Sequence, residues 1–564
     1  MLLESFYSDL PKIIIASEDI LTPGDQPRVL IAMNPAALKA NIADLEPGGT
    51  AIINIDTFTA GNLKKAGYDS NPLKDGSLAG YRIFEVPIIT LNRNALAKIE
   101  GMTQRQIDRS GNMFALGLAF WLFDRPLKPT KEFIAKKFVK KTKVIEANHI
   151  ALQAGYNYGN ITRRFQVRYR IKPAALKPGT YRRVTGNQAI ALGLVTAAKK
   201  AGKPLFYGTY PITPASDILH HLATMKNFDV RTFQAEDEIA AIGSVIGAAY
   251  GGAIAATGSS GPGIALKTEA INLAVMAELP MVIINVQRSG PSTGMPTKTE
   301  QADLLQVMFG RNSESPVPVL AASTPGNCFY IALEAVRLAV RASVPVFVLS
   351  DSYLANSASP WLIPNPDDIP NIEVSHPTKL NSDDEFLPFK RDTETMAPLW
   401  AIPGTPGLEH RVGGLAKEPE TGDVSYLPEH NQQLMEERLE KVEKLADVIP
   451  EVPIFGQTKG DMLVISWGST FGAVRTAVER LEKSNMVASH VHLHHLNPFP
   501  PNLGNILNQF KRILVPELNM GQLSLLLKRR FPEHTYLKLN KMQGRPLMIK
   551  DVLDKLKELL GGVK

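Results

Sequence analysis

Met281-Val282-Ile283-Ile284-Asn285-Val286-Gln287-Arg288-Ser289-Gly290-Pro291-Ser292-Thr293-Gly294-Met295-Pro296-Thr297 runs an apolar segment straight into a loop of small, hydroxylic and turn-forming residues. Residues 281–286 carry one polar side chain and no strict alternation, the pattern of a parallel strand buried on both faces. Similar runs recur at 204–207, 230–234, 253–257, 317–321 and 346–349. Helical patterns fill the gaps at 215–225, 237–249, 264–278, 300–309 and 327–342. Strand and helix in alternation predict a doubly wound α/β domain over residues 180–360.

Working outward, residues 1–175 read as a first α/β domain, with β-rich runs at 29–33, 50–55 and 86–91. Its end is basic. From Arg125 to Lys143 there are eight Lys/Arg and one acid, with Phe133, Ile134 and Phe138 keeping one side apolar. That pattern suits a helix with a solvated cationic face, or a surface for an anionic partner. Residues 361–457 are rich in Pro, Gly and charge and hold a charged helix at 430–448. They predict an extended connection that wraps other domains. Residues 458–564 return to α/β, with strands at 463–466, 487–493 and 513–515 and a helix at 471–483.

The bulk properties exclude several classes. With 564 residues, 44% hydrophobic and 21% charged, the chain is neither disordered nor fibrous. The net charge of +7 resides in residues 501–564, which hold 12 basic and 5 acidic side chains. Nucleic acid is therefore not the expected partner. Residues 239–258 carry no charge but are Ala- and Gly-rich, so they predict a buried helix running into a buried strand, not a membrane span. The N-terminus lacks the basic start and apolar core of a secretory leader. Cys328 is the only cysteine, so the chain forms no internal disulfide and cannot ligate an iron–sulfur cluster alone. A cytoplasmic protein is expected.

Ligands of open parallel sheets bind beyond the carboxyl ends of the strands. The loops there are 208–214, 235–238, 258–263 and 287–297. They bring together carboxylates, hydroxyls, glycine-lined backbone and a guanidinium. Each has a plainer reading. Thr213-Pro214 could cap a helix, Glu236-Asp237-Glu238 could complement a helix dipole, and Ser259-Ser260-Gly261 could be a turn or an anion-binding nest. Arg288, alone in a Gly/Ser/Thr/Pro loop, suits bidentate grip of a carboxylate. His490, His492 and His494 share one face of a strand, with His495 beside them. Without a carboxylate or cysteine near in sequence, packing is expected over metal binding. Gly468-Ser469-Thr470 reads as a helix cap or an anion-holding turn.

At these loops the sequence resembles a family. Tyr210-Pro211-Ile212-Thr213-Pro214, Glu236-Asp237-Glu238 with its Ala/Gly helix, and 287–297 look like the alpha subunit of 2-oxoacid:ferredoxin oxidoreductases, particularly the 2-oxoglutarate type. The resemblance extends to Ala32-Met33-Asn34-Pro35-Ala36-Ala37-Leu38 of a fused gamma domain, to 402–410 and to Asn519-Met520-Gly521-Gln522-Leu523.

The resemblance implies thiamine-diphosphate-dependent oxidative decarboxylation of a 2-oxo acid to an acyl-CoA, with electrons passed to ferredoxin. Residues 180–360 become the pyrimidine-type domain, 1–175 the gamma-type domain and 458–564 a transketolase C-terminal-like domain. Glu238 is expected to pair with the pyrimidine ring nitrogen, with Tyr210, Pro211 and Ile212 beside the cofactor. Arg288, Thr213 and Thr297 are expected to hold the substrate. The family's glycine-rich opening turn is missing from residues 1–15, so the first domain looks cut short at its start. No Gly-Asp-Gly occurs in the chain. A beta subunit is therefore expected to supply Mg²⁺, the diphosphate pocket and a [4Fe-4S] cluster, in an αβ or (αβ)₂ assembly. The rival readings are the same chemistry on pyruvate or branched-chain 2-oxo acids, and a non-catalytic scaffold subunit. Thiamine-dependent activity with a partner separates the scaffold from the enzyme.

Overall fold

The computed structural model describes residues 2–5, 12–17, 19–162 and 168–561. Met1, residues 6–11 and Glu18, on which the reading of the chain's start partly rests, lie outside them. The chain opens with strands β1 (Leu2–Ser5) and β2 (Lys12–Ile15). It divides into two compact units. Among the described residues, one unit spans 24–162 and 168–175 with 15–17 and 19, and the other spans 176–561 with 2–5, 12–14 and 20–23.

The first unit holds a parallel sheet of β3 (Val29–Ala32), β4 (Thr50–Asn54) and β5 (Arg82–Val86), in that order. The run 86–91, expected as a strand, is not one: β5 stops at Val86 and a helix, Ile88–Ala95, begins after Pro87. Proline cannot donate to a sheet ladder but is tolerated where a helix starts. Asn54 then accepts from the Ile88 amide at 3.1 Å and Asp56 from the Thr90 amide at 2.7 Å, serving donors that a helix start leaves free. The basic stretch also differs from expectation. Its helix is Lys128–Lys137, separate from the helix Thr142–Thr162, and Phe133 points out at 60% exposure while Ile134 is buried.

The second unit begins with β6 (Tyr181–Thr185). It then builds the expected doubly wound sheet from β7 (Leu205–Thr209), β8 (Val230–Gln234), β9 (Ile254–Ser259), β10 (Met281–Gln287), β11 (Val319–Ala321) and β12 (Pro345–Asp351). Strand order is β11-β12-β10-β9-β7-β8, all parallel. Alternate residues of β10 serve two cores. Val282, Ile284 and Val286 pack towards the helices Gly186–Lys200 and Asn327–Ala342, whereas Met281 and Ile283 pack towards Glu238–Tyr250 and Thr268–Ala277. Both faces are covered, which is why the strands lack polar alternation.

After β7 the chain moves outward to β8, then crosses back to β9 on the other side. The direction of winding reverses between β7 and β9, which opens a crevice at their carboxyl ends.

Strand β13 (Ala358–Leu362) pairs antiparallel with β6 and with β1, where Glu4 faces Ala358. Backbone pairing thus draws β1 into the second unit, against the assignment of all of 1–175 to one domain. Residues 361–457 contribute Trp400, whose indole donates to the Ala249 carbonyl at 2.9 Å, and Lys417, which donates to the Met276 carbonyl at 2.8 Å. Both are carbonyls in the last turns of helices, which want donors. A second sheet has the order β14 (Ile454–Phe455), β16 (Ser489–Leu493), β15 (Gly460–Trp467), β18 (Phe510–Glu517) and β19 (Tyr536–Asn540). Strand β17 (His495–Asn497) leaves it to pair antiparallel with β11, so residues 180–360 and 458–564 share one sheet edge. Among the described residues no helix is long and apolar enough to cross a membrane.

Candidate functional site

The crevice between β7 and β9 is closed at its base by Thr209, whose hydroxyl donates to the Gly258 carbonyl at 2.6 Å. Beyond it, Tyr210, Pro211 and Thr213 are exposed and Ile212 is half-buried. The next helix begins at Ser216, so Thr213 does not cap it. The Thr213 carbonyl accepts instead from Nη1 of Arg288 at 2.7 Å.

The three acids after β8 divide their work. Asp237 is extended at φ −154° and its carboxylate accepts from the Ala240 amide at 2.8 Å, so it is the cap of the helix Glu238–Tyr250. Glu236 is exposed, and Glu238, the first helical residue, is 8% exposed. With the cap filled by Asp237, the Glu238 carboxylate accepts no hydrogen bond among the described residues. It lies over Gly263, whose absent Cβ would stand 3.0 Å from Glu238 Oε1 and would collide with Ser259 Oγ. Any larger residue at 263 displaces the carboxylate.

After β9, Ser259 and Ser260 are completely buried and their hydroxyls find no partner. The short helix Gly261–Leu266 follows, then Lys267, fully buried with an unpartnered ammonium. Burial pulls Lys267 down to about 8, against the pull of Glu238 and, less, Asp237.

After β10, Arg288 is 8% exposed, and its Nε has no partner. The loop folds back through Ser289, whose amide donates to the Lys298 carbonyl at 2.9 Å and whose hydroxyl donates to Glu300 at 2.8 Å. Thr297 is on the exposed arm of this loop, and its hydroxyl bonds to neither Arg288 nor Thr213 among the described residues. Asp303 faces the start of the Gly261 helix and accepts from Asn285 at 3.0 Å. Burial pushes its carboxyl up to about 6; Glu300 adds to this, while Asn285 and Arg288 oppose it.

The structure therefore joins Arg288 to Thr213 and seats Glu238 against the β9 loop, while Thr297 stays apart. Lys267, Asp303 and Asn285 escaped the sequence reading. Lys267 had a signal: it is the first charged residue after Glu238, closing a long charge-free stretch.

The histidines are packed. Ser466 lies 2.7 Å from both His490 and His492, and Arg475 donates to His490 at 3.3 Å. Burial, reinforced by Arg475, brings His490 down to about 3. Among the described residues no group of three His, Cys, Asp or Glu could hold a metal. Gly468–Thr470 is one 3₁₀ turn, and the Ser469 hydroxyl is unpartnered.

Comparison with known proteins points to one family. Residues 197–451 match the family model described as pyruvate flavodoxin/ferredoxin oxidoreductase, thiamine diphosphate-binding, and residues 11–158 match that of pyruvate ferredoxin/flavodoxin oxidoreductase. A 2-oxoglutarate oxidoreductase subunit KorA from Mycobacterium tuberculosis is 50% identical over 92% of this chain and 79% of its own length. The alpha subunit of 2-oxoacid:ferredoxin oxidoreductase 1 from Aeropyrum pernix is 31% identical over 82% of this chain and 73% of its own. Among solved structures, a 2-oxoglutarate:ferredoxin oxidoreductase from Magnetococcus marinus, with 2-oxoglutarate, coenzyme A and succinyl-CoA bound, superposes with a TM-score of 0.87. That match has 28% identity and covers 99% of this chain and 94% of the other. The chain belongs to the alpha-subunit family of the 2-oxoacid:ferredoxin oxidoreductases.

Proposed function

We propose that this chain is the alpha subunit of a cytoplasmic enzyme that decarboxylates 2-oxoglutarate oxidatively, forms succinyl-CoA and passes electrons to ferredoxin. The observation that carries the reading is Glu238, a buried carboxylate relieved of helix capping by Asp237 and left without a donor. The substrate follows the Mycobacterium relative's name and the ligands of the Magnetococcus structure.

The residues present fit an aminopyrimidine. Glycine at 263 lets Glu238 and the Ser259 hydroxyl pack against bare backbone, and the orphaned hydroxyls of Ser259 and Ser260 can hydrogen-bond ring substituents. When bound, thiamine diphosphate supplies the nucleophilic carbon and the electron sink for decarboxylation. Glu238 holds the proton at the pyrimidine ring nitrogen. The helix behind it buries Ile242, Val245 and Ala249, so little water competes for that bond. Tyr210, Pro211 and Ile212 form the rim beside the ring.

Arg288 holds the substrate carboxylate. Its Nη1 is committed to the Thr213 carbonyl, which fixes the guanidinium plane and leaves Nε–H free for side-on, two-point contact. The Thr213 and Thr297 hydroxyls serve the keto oxygen. Cys328, the one cysteine, is buried and pushed up to about 12 by burial, so a beta subunit has to bring the [4Fe-4S] cluster, together with Mg²⁺ and the diphosphate pocket. Thiamine diphosphate is then shared by two chains, in αβ or (αβ)₂, and coenzyme A enters as co-substrate.

The test is to purify the chain alone and with its partner, then measure iron, bound thiamine diphosphate and 2-oxoglutarate-dependent viologen reduction. Iron and turnover are expected only in the complex. Stoichiometric iron in the lone chain, or turnover without a second polypeptide, contradicts the reading.

A further inference from the structure

Gly263 and Lys267 stand four residues apart along the short helix Gly261–Leu266 and its cap, hence on one face. Helical side chains lean towards the N-terminus, which directs the Lys267 chain back towards the surface of Gly263. Glu238 occupies that surface, with Cγ and Oε1 each 3.0 Å from the Gly263 Cβ position. Lys267 is 0% exposed, and its ammonium hydrogen-bonds to nothing among the described residues. A buried, unpartnered ammonium is costly and persists only where a nearby charge compensates. The carboxylates facing it are Glu238 first and Asp237 second. Asp237 is exposed and committed to capping, so Glu238 is the buried one of the two. Asp303, with Glu300 and Arg288, faces the start of the same short helix, by Gly261.

We propose that Lys267 is a positioning residue for Glu238: its buried ammonium draws the carboxylate over Gly263, turned for the pyrimidine nitrogen. The proposal rests on the role given to Glu238 above. Burial brings Lys267 down only to about 8, so the side chain is still mainly charged at neutral pH. An ammonium that makes no hydrogen bond to Glu238 can orient that carboxylate by charge attraction without occupying the oxygens a ligand needs. It acts through space, which a low local dielectric makes effective.

The test compares Lys267→Met, close in length and lacking the charge, with Glu238→Gln and the double variant. Lys267→Gln is run in parallel, so that a packing fault in one variant is not read as an electrostatic effect. In the complex, loss of the Lys267 charge should lower kcat about tenfold, as expected when a proton-holding group is misplaced. The KM for 2-oxoglutarate should not change. The second readout needs no cofactor: melting temperatures of the four forms without added thiamine diphosphate. Glu238→Gln should lower the melting temperature when Lys267 is present and leave it unchanged in the Lys267→Met background. An unchanged kcat, or melting shifts that simply add, overturns the proposal. If Glu238→Gln keeps full turnover while the melting shifts stay coupled, the role of Glu238 falls and the hold of Lys267 on its position stands.

Discussion

Two glutamates of the second unit are buried at helix ends, and their surroundings are opposite. Glu278 ends the helix Thr268–Ala277 in the left-handed conformation at φ 52°, on the negative end of the helix dipole. It is 4% exposed, and Arg391 and Lys441 saturate it. Burial alone raises its pKa, but Lys441 and Arg391 together hold it down to about 2. Glu238 begins its helix, on the positive end, with its cap duty taken by Asp237 and its carboxylate accepting no hydrogen bond among the described residues. The first carboxylate pins residues 391 and 441 of the wrapping segment to the sheet domain. The second is left open. A buried charge with all its partners is architecture, and one without them is a site awaiting a ligand.

The comparison breaks most readily at Glu278. Glu278→Gln leaves Arg391 and Lys441 buried without their carboxylate, which should cost about 3–5 kcal/mol in a denaturation series. Activity per folded molecule should be retained, because Glu278 touches no site residue. A variant as stable as the parent removes the architectural half of the contrast.

Acid sharpens it. The folded pKa of Glu278, about 2, lies below the unfolded value near ~4.3, so its contribution is complete above the unfolded value and is lost as pH falls towards 2. A stability–pH series should therefore drop more steeply over that window in the parent than in Glu278→Gln. Parallel curves would place the acid sensitivity elsewhere.

On the open side, Arg288→Ala should raise the KM for 2-oxoglutarate about 10- to 100-fold, the worth of a charged hydrogen bond. Arg288→Lys should recover only part, since an ammonium cannot reproduce the planar fork held by Thr213. Thiamine binding lost at unchanged KM would move Arg288 off the substrate. Thr297→Ala is the smallest change, roughly 2- to 10-fold, because a neutral hydroxyl on an exposed arm is at stake.

The doubly wound sheet was legible because its signal is local. Helix Asn327–Ala342 and strand Val230–Gln234 lie where periodicity and apolar runs put them. Long-range partners defeated the reading elsewhere. Residues 300–309 read as one helix, yet only Leu304–Phe309 is helical. Gln301 is occupied by the Trp467 carbonyl and the Leu518 amide, and the Asp303 amide by the Gln287 side chain, contacts that no window of sequence contains. The helix expected over 264–278 is broken at Lys267, which caps one helix and leads into the next. The pairing of β17 with β11 is equally non-local. At the site, the loops and Arg288 were readable as chemistry. Which of three adjacent acids is buried was not, since burial is a property of the packed helix.

The most direct measurement is turnover of Glu238→Ala in the assembled complex, set beside its melting temperature. Losing the group that holds the pyrimidine proton should cut 2-oxoglutarate-dependent viologen reduction by roughly 10²-fold or more in an intact assembly, with a lower melting temperature because buried Lys267 loses its counter-charge. Near-parental turnover in a folded Glu238→Ala complex would contradict the account, and Glu236 would be the next carboxylate to examine.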